Sequence, residues 1–198
     1  MPRYLVCMTG ASGAVYGIRL LKYLASPDGP CPEAELHLVA SKWAERVVLE
    51  ETGSPLESHA AALGNGRIER HDPSDLASPL SSGSFRMDGT VVVPCSMGTA
   101  GAIASGVSAN LVQRAGAVAL KEGWPLIIVP RESPLSLVSL RALVALKEAG
   151  ATILPASPAF YTRPGSIDEL VDQIVSRMLD RLGLDMPGAK RWEERSEE

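Results

Sequence analysis

The chain lacks the cysteine content of a disulfide framework. Cys7, Cys31 and Cys95 are odd in number and form no Cys-x-x-Cys, which points to a reduced, cytosolic setting. It also lacks a basic excess. Nineteen Lys and Arg stand against 23 Asp and Glu, a net charge of -4, so nothing in the overall charge recommends nucleic acid or an anionic membrane as a partner. The N-terminal "PRYLVCMTGASG" has only a short apolar run that stops at a glycine loop, unlike a signal peptide. Gly89 to Gln113 carries no charge, but small residues dominate it after Val93 and Pro94 interrupts it, which excludes a membrane span. Histidine is scarce. His37, His59 and His71 show no metal-ligand spacing and none sits beside a nucleophile in a known motif, so no metal is expected. No internal repeat and no second domain are visible.

What is present fits one α/β domain. The chain has 198 residues, 45% of them hydrophobic, enough to bury a real core. Apolar runs at Tyr4–Met8, Glu35–Val39, Thr90–Val93, Leu126–Val129 and Thr152–Leu154 read as strands. Helical patterns follow over Ala14–Leu24, Lys42–Thr52, Ala109–Glu122, Leu135–Ala149 and Ile167–Leu182. Unbroken apolar strands alternating with helices predict a mostly parallel sheet covered on both faces. The last helix is the clearest: Ile167, Leu170, Val171, Ile174, Val175, Met178, Leu179 and Leu182 form one stripe, with Ser166 and Glu169 as a capping box. The segment from Pro55 to Asp88 reads as an extended loop with a short helix at Ser58–Leu63. The domain is expected to span 1–185, with a charged arm over 186–198.

Ligands of open parallel sheets bind at the carboxyl ends of the strands. Three strand ends share one chemistry: "TGASGA", "ASK" and "PCSMGTAGAIASG" each offer glycines, hydroxyls and backbone N–H groups suited to a phosphate. One such loop is equally well explained by a tight turn; three together favour an anion. Gly10, Gly13 and Gly17 do not make Gly-x-Gly-x-x-Gly, and Ser41-Lys42 stands where an NAD site places an acid. The fourth strand end brings charge. Arg131 can clamp a phosphate, and Ser133-Pro134 reads as the cap and first turn of the next helix. Arg114 and Lys121, seven residues apart, share a helix face that could equally be a solvated basic stripe. Cys95, Trp43 and Trp124 read as packing residues.

Taken together, "MTGASGAVYGIRLL", "VASKWAERVVLEETG", "SGSFRMDGTVVVPCSMGT", "RAGAVALKE", "LIIVPRESPLSL", "GATILPASPAFYTRP" and "DELVDQIVSRMLDRLG" resemble the flavin prenyltransferases of the UbiX type. The likeness runs from Tyr4 to about Trp192. It implies a three-layer Rossmann-like, flavodoxin-like flavoprotein fold and a metal-independent transfer of a dimethylallyl group to N5 and C6 of reduced FMN. The product, prenylated FMN, would serve a UbiD-type decarboxylase in ubiquinone synthesis or aromatic-acid breakdown. The resemblance further implies a cytoplasmic homododecamer with active sites at subunit interfaces. Gly10, Ala11, Ser12, Ser41, Ser96, Met97, Gly98, Thr99 and Arg131 would bind FMN. Arg114, Lys121, Arg131, Glu132, Tyr161 and Arg177 would hold dimethylallyl phosphate, and Ser12, Glu51, Lys121 and Glu132 would assist the chemistry. Two positions depart from the family's habit: Ala109-Asn110 stands where Asp-Asn is common, and no tryptophan lies between Glu57 and Phe85. Two other readings stay open, a flavin-dependent cysteine decarboxylase and a non-catalytic flavin-binding subunit of a decarboxylase. "PCSMGT" and "PRESPLSL" disfavour the first.

Overall fold

Runs such as Leu-Val-Cys-Met and Leu-Ile-Ile-Val have no polar face to give to water, so a sheet made from them must be covered on both sides. That is the arrangement in the computed structural model of the chain, which describes residues 1–64 and 67–189. Six strands, β1 (Arg3–Met8), β2 (Glu35–Ala40), β3 (Ile68–His71), β4 (Gly89–Cys95), β5 (Leu126–Pro130) and β6 (Thr152–Ile153), form one sheet in the order β3-β2-β1-β4-β5-β6. Every pairing is parallel, from Arg3 opposite Glu35 to Ile128 opposite Ile153. The helices are α1 (Ala14–Ala25), α2 (Lys42–Thr52), α3 (Leu56–Gly64), α4 (Met97–Ala104), α5 (Leu111–Glu122), α6 (Leu137–Glu148) and α7 (Ile167–Arg181).

Alternate residues of each strand feed two cores. Val6, Leu38 and Val91 face α1, α3 and α7, whose Leu20, Leu24, Leu56, Val175 and Met178 are fully buried. Leu5, Val92 and Ile128 face α4, α5 and α6 through Ile103, Leu111, Ala115 and Leu146. The three-layer α/β expectation therefore holds, with a sheet that is wholly parallel. Among the described residues, no helix is long and apolar enough to cross a membrane.

Several local expectations change. β3 was not predicted, because Ile68-Glu-Arg-His offers one apolar residue at a sheet edge. α4 emerges from what read as a glycine-rich loop, with Ser96 as its N-cap. α6 starts at Leu137 with Ser136 as cap, its Oγ accepting from Ser139 N at 3.1 Å, so Ser133-Pro134 lies outside the helix. α5 starts at Leu111, and Asn110 caps it by accepting from Gln113 N, so Ala109 does not cost that cap. Trp124 packs against the second core, but Trp43 is 70% exposed and belongs to neither core. Of the predicted arm, Met186 is buried against the α7 side of the core, whereas residues 190–198 lie outside the described residues.

α1 approaches the sheet closely at Gly17. A Cβ there would lie 2.8 Å from Val93 O and 2.9 Å from Met8 Cε, so α1 can reach the sheet only with glycine at this position. Gly17→Ala is expected to lower unfolding free energy by about 1–3 kcal/mol through overpacking. A wild-type midpoint in urea unfolding would show that the contact relaxes at no cost.

Candidate active site

Strand order fixes where a site can form. The chain runs outward through β1, β2 and β3, then returns to place β4 beside β1. At this switch point the loops after the two strands turn apart and leave a crevice, the place where nucleotides bind in doubly wound sheets. One wall is Gly10, Ala11 and Ser12 after β1; the other is Ser96, Met97, Gly98 and Thr99 at the start of α4.

The walls are tied together by polar groups. Thr9, 2% exposed, accepts a hydrogen bond from Ser96 N at 2.7 Å and donates to Pro94 O at 2.8 Å. Ser96 Oγ in turn caps α4 by accepting from Thr99 N. A Cβ added to Gly98 would meet nothing within 4 Å, so this wall faces open space. Across the crevice, Arg131 Nε donates to Ser12 O at 3.1 Å, which fixes a cation beside the first loop. Glu132 turns back on its own chain, accepting from Ser133 N at 3.0 Å.

Glu51 solves a problem at α1. Gly13 sits at φ 104°, a conformation suited to glycine, and no side chain of its own segment caps the helix. The Glu51 carboxylate does so instead, accepting from Gly13 N at 3.0 Å and Ala14 N at 2.8 Å. Because α2 starts at the end of β2 and finishes at the start of α1, it lies across the carboxyl edge of the sheet. It does not run back along a face. α3 makes the return instead, packed on α1. The N–H groups at the start of α1 are therefore engaged by Glu51. Ser41 Oγ likewise takes Ala44 N at 3.1 Å. At the start of α4, Gly98 faces open space beside the crevice.

The predicted cations divide between two edges. Helices that follow parallel strands and return along a face begin at the carboxyl edge and end at the amino edge. Arg131 directly follows β5 and lies at the carboxyl edge. Lys121, at the end of α5, lies at the amino edge, about 16 Å away by the rise of a five-residue strand. There Lys121 pairs with Glu122, and both side chains pack on Gly83. Arg114, on the same helix face, donates to Ser81 O at 3.0 Å, so the two basic residues flank one segment and do not form a bare solvated stripe. Arg177 stands on the second half of α7, 3.5 Å from Asp180, and lines a cavity of about 440 Å³ with Lys147, Leu154, Pro155 and Arg181. Tyr161 is half-exposed in the loop before α7. One chain thus joins Ser12, Ser96 and Arg131 at the carboxyl edge and leaves Lys121 at the amino edge.

Thr9 escaped notice because nothing near it in sequence marks its partner, 87 residues away. Burial pushes the Cys95 thiol up to about 12, consistent with a packing cysteine. The histidines combine in an unforeseen way: register sets His37 of β2 opposite Glu69 of β3 and brings His71 onto the same face.

The chain resembles known proteins over nearly its full length. Residues 1–179 match the family model described as Flavoprotein. The protein of Escherichia coli O157:H7 named "Probable UbiX-like flavin prenyltransferase" is 44% identical over 191 residues, spanning 96% of this chain and 93% of the relative. A solved structure described as a dodecameric FMN-dependent UbiX-like decarboxylase from the same organism superposes with a TM-score of 0.88 at 44% identity, covering 96% of this chain and 98% of that one. The structure of AnUbiX (PadA1) in complex with FMN and dimethylallyl pyrophosphate gives a TM-score of 0.88 at 45% identity, covering 100% and 99%.

Thr9→Val keeps shape but strands Ser96 N without its acceptor. It is expected to cost about 1–3 kcal/mol of stability and to weaken flavin uptake, read by fluorescence quenching. Unchanged stability and uptake would remove Thr9 from the site.

Proposed function

The chain belongs to the flavoprotein family and, within it, to the UbiX-like flavin prenyltransferases, and from that premise we propose that it transfers a dimethylallyl group from dimethylallyl phosphate to reduced FMN. The new ring closes between flavin N5 and C6, and the product passes to a UbiD-type decarboxylase in the cytoplasm. The observation that carries this reading is the crevice between β1 and β4, where the start of α4 faces the Arg131–Ser12 contact. A helix start of this kind favours an anion such as the FMN phosphate. The glycines let the backbone approach the ligand.

Reduced FMN, when bound, supplies the electron-rich atoms that accept the allyl group. The remaining work falls to this chain. Gly10, Ala11, Ser12 and Ser41 hold the flavin from one side, and Ser96 to Thr99 hold it from the other. An allylic monophosphate leaves slowly unless its developing charge is met, and preplaced cations can meet that charge without a metal ion. Arg114, Lys121, Arg131 and Arg177 form that set, with Tyr161 and Glu132 orienting the phosphate. Glu51, fixed by Gly13 N and Ala14 N, moves a proton during ring closure.

Because Lys121 lies at the opposite edge of the sheet from Arg131 in one chain, this assignment requires neighbouring copies. Exposed apolar residues suited to them exist: Leu137, Val138 and Val144 on α6 and, apart from these, Phe160 and Ile167. We assign them to the subunit contacts of a homododecamer.

The protein incubated anaerobically with reduced FMN and dimethylallyl phosphate is expected to yield prenylated FMN by mass spectrometry. Glu51→Gln and Lys121→Ala are expected to keep the fold and lose most turnover. Bound FMN with no prenylated product would overturn the reading. Carbon dioxide released from a cysteinyl or aromatic acid substrate by the protein alone would point to a decarboxylase instead.

A further inference from the structure

We propose that His37, Glu69 and His71 form a binding site for a divalent transition-metal ion of the zinc class, separate from the flavin crevice. The site follows from strand register. Residues i and i+2 of an edge strand face the same way, and the cross-strand partner of residue i joins them. Here Glu69 and His71 are the i, i+2 pair of β3, and His37 is the partner of Glu69 on β2.

The ligand atoms converge. His37 Nδ1 and His71 Nε2 are 3.0 Å apart. Glu69 approaches them with Oε2 3.5 Å from His37 Nδ1 and Oε1 3.7 Å from His71 Nε2. Ligands about 2.0–2.1 Å from a tetrahedral zinc ion lie roughly 3.3 Å from one another. The two Glu69 distances run to different carboxylate oxygens, and one ligand atom from each residue lies within 4.8 Å of the others, so side-chain rotation would bring the three onto one ion. Two neutral imidazoles and one carboxylate are donors that zinc, cobalt and nickel accept, whereas calcium and magnesium prefer oxygen alone.

The surroundings suit a closed base with one open side. His37 is buried and the His71 side chain is nearly so, while Glu69 is well exposed and gives the ion its path from solvent. Ser78 Oγ lies 3.3 Å from His71 Nδ1, an outer partner that orients the ring with Nε2 toward the ion. His37 meets the other ligands through Nδ1, while its Nε2 is buried without a partner among the described residues. The three protein ligands leave the fourth position to water.

Such an ion would fasten the edge strand and the segment after it. That segment supplies Pro73 O, which accepts from Leu111 N at the start of α5, and Ser81 O, which accepts from Arg114. The site would therefore stabilise the support of Arg114 without touching the reacting atoms.

The test uses the full-length, flavin-free protein after treatment with chelator. Titration with zinc chloride by calorimetry is expected to show one ion per chain, and cobalt chloride is expected to give the intense visible bands of a tetrahedral site. Glu69→Ala, an exposed change that leaves the core intact, and His71→Ala should each weaken zinc at least tenfold. His59→Ala should not, since His59 bonds Thr52 elsewhere. Zinc should also raise the melting temperature of the wild type and not of Glu69→Ala. No zinc uptake at micromolar concentration, or uptake unchanged in Glu69→Ala, would overturn the proposal and leave a plain His37–His71 hydrogen bond. Because no flavin is present, either result is independent of prenyl transfer.

Discussion

Because every strand runs in the same direction, the molecule has two chemically unlike edges, and most other features follow from that. Helix starts, with their N–H groups and serine caps, gather at the carboxyl edge beside the β1–β4 switch. Helix ends, with Lys121 near one of them, gather toward the other. A single parallel sheet can thus build a cradle for a flavin phosphate from its own loops. It cannot also fold its distal cations over that cradle. On the proposed reading the phosphate site would therefore lie between copies, with the exposed apolar residues of α6 available for the contact.

Within the carboxyl edge, precision comes from long-range polar contacts. Thr9 joins the ends of β1 and β4, Glu51 caps α1 from the far end of α2, and Arg131 holds the Ser12 carbonyl. Each replaces water around a backbone group that would otherwise be orphaned, so the loops are held at fixed separation before any ligand arrives. Gly17 adds a steric lock beneath them.

Much of this was legible in the sequence where a pattern repeats. The stripe of α7 from Val171 to Leu179 and its Ser166 cap, the bounds of α2, the four buried strands and the half-buried β6 all follow from periodicity and capping, whereas Ile167, expected in the stripe, is exposed. Where the pattern is thin, reading failed. β3 has a single apolar residue, and α4 is made of Met, Gly, Ala, Thr and Ile with little amphipathic contrast. Ser133-Pro134 imitated a helix start, yet Ser136 with Ser139 three residues on was the real one. The His37–His71 contact joins residues 34 apart and became visible only with the register of β2 and β3. The family resemblance named the members of the phosphate set, but not their distribution over two edges.

Subunit mixing tests the shared site most directly. Lys121→Ala and Arg131→Ala proteins, each inactive alone, would be dissociated, mixed, reassembled and assayed for prenylated FMN. If Lys121 and Arg131 serve one phosphate from different copies, mixed assemblies contain some interfaces with both residues intact, and turnover returns. If both residues act within one chain, every site in the mixture lacks one of them. Activity that stays at the level of the separate variants, in assemblies shown to be mixed, would contradict the account.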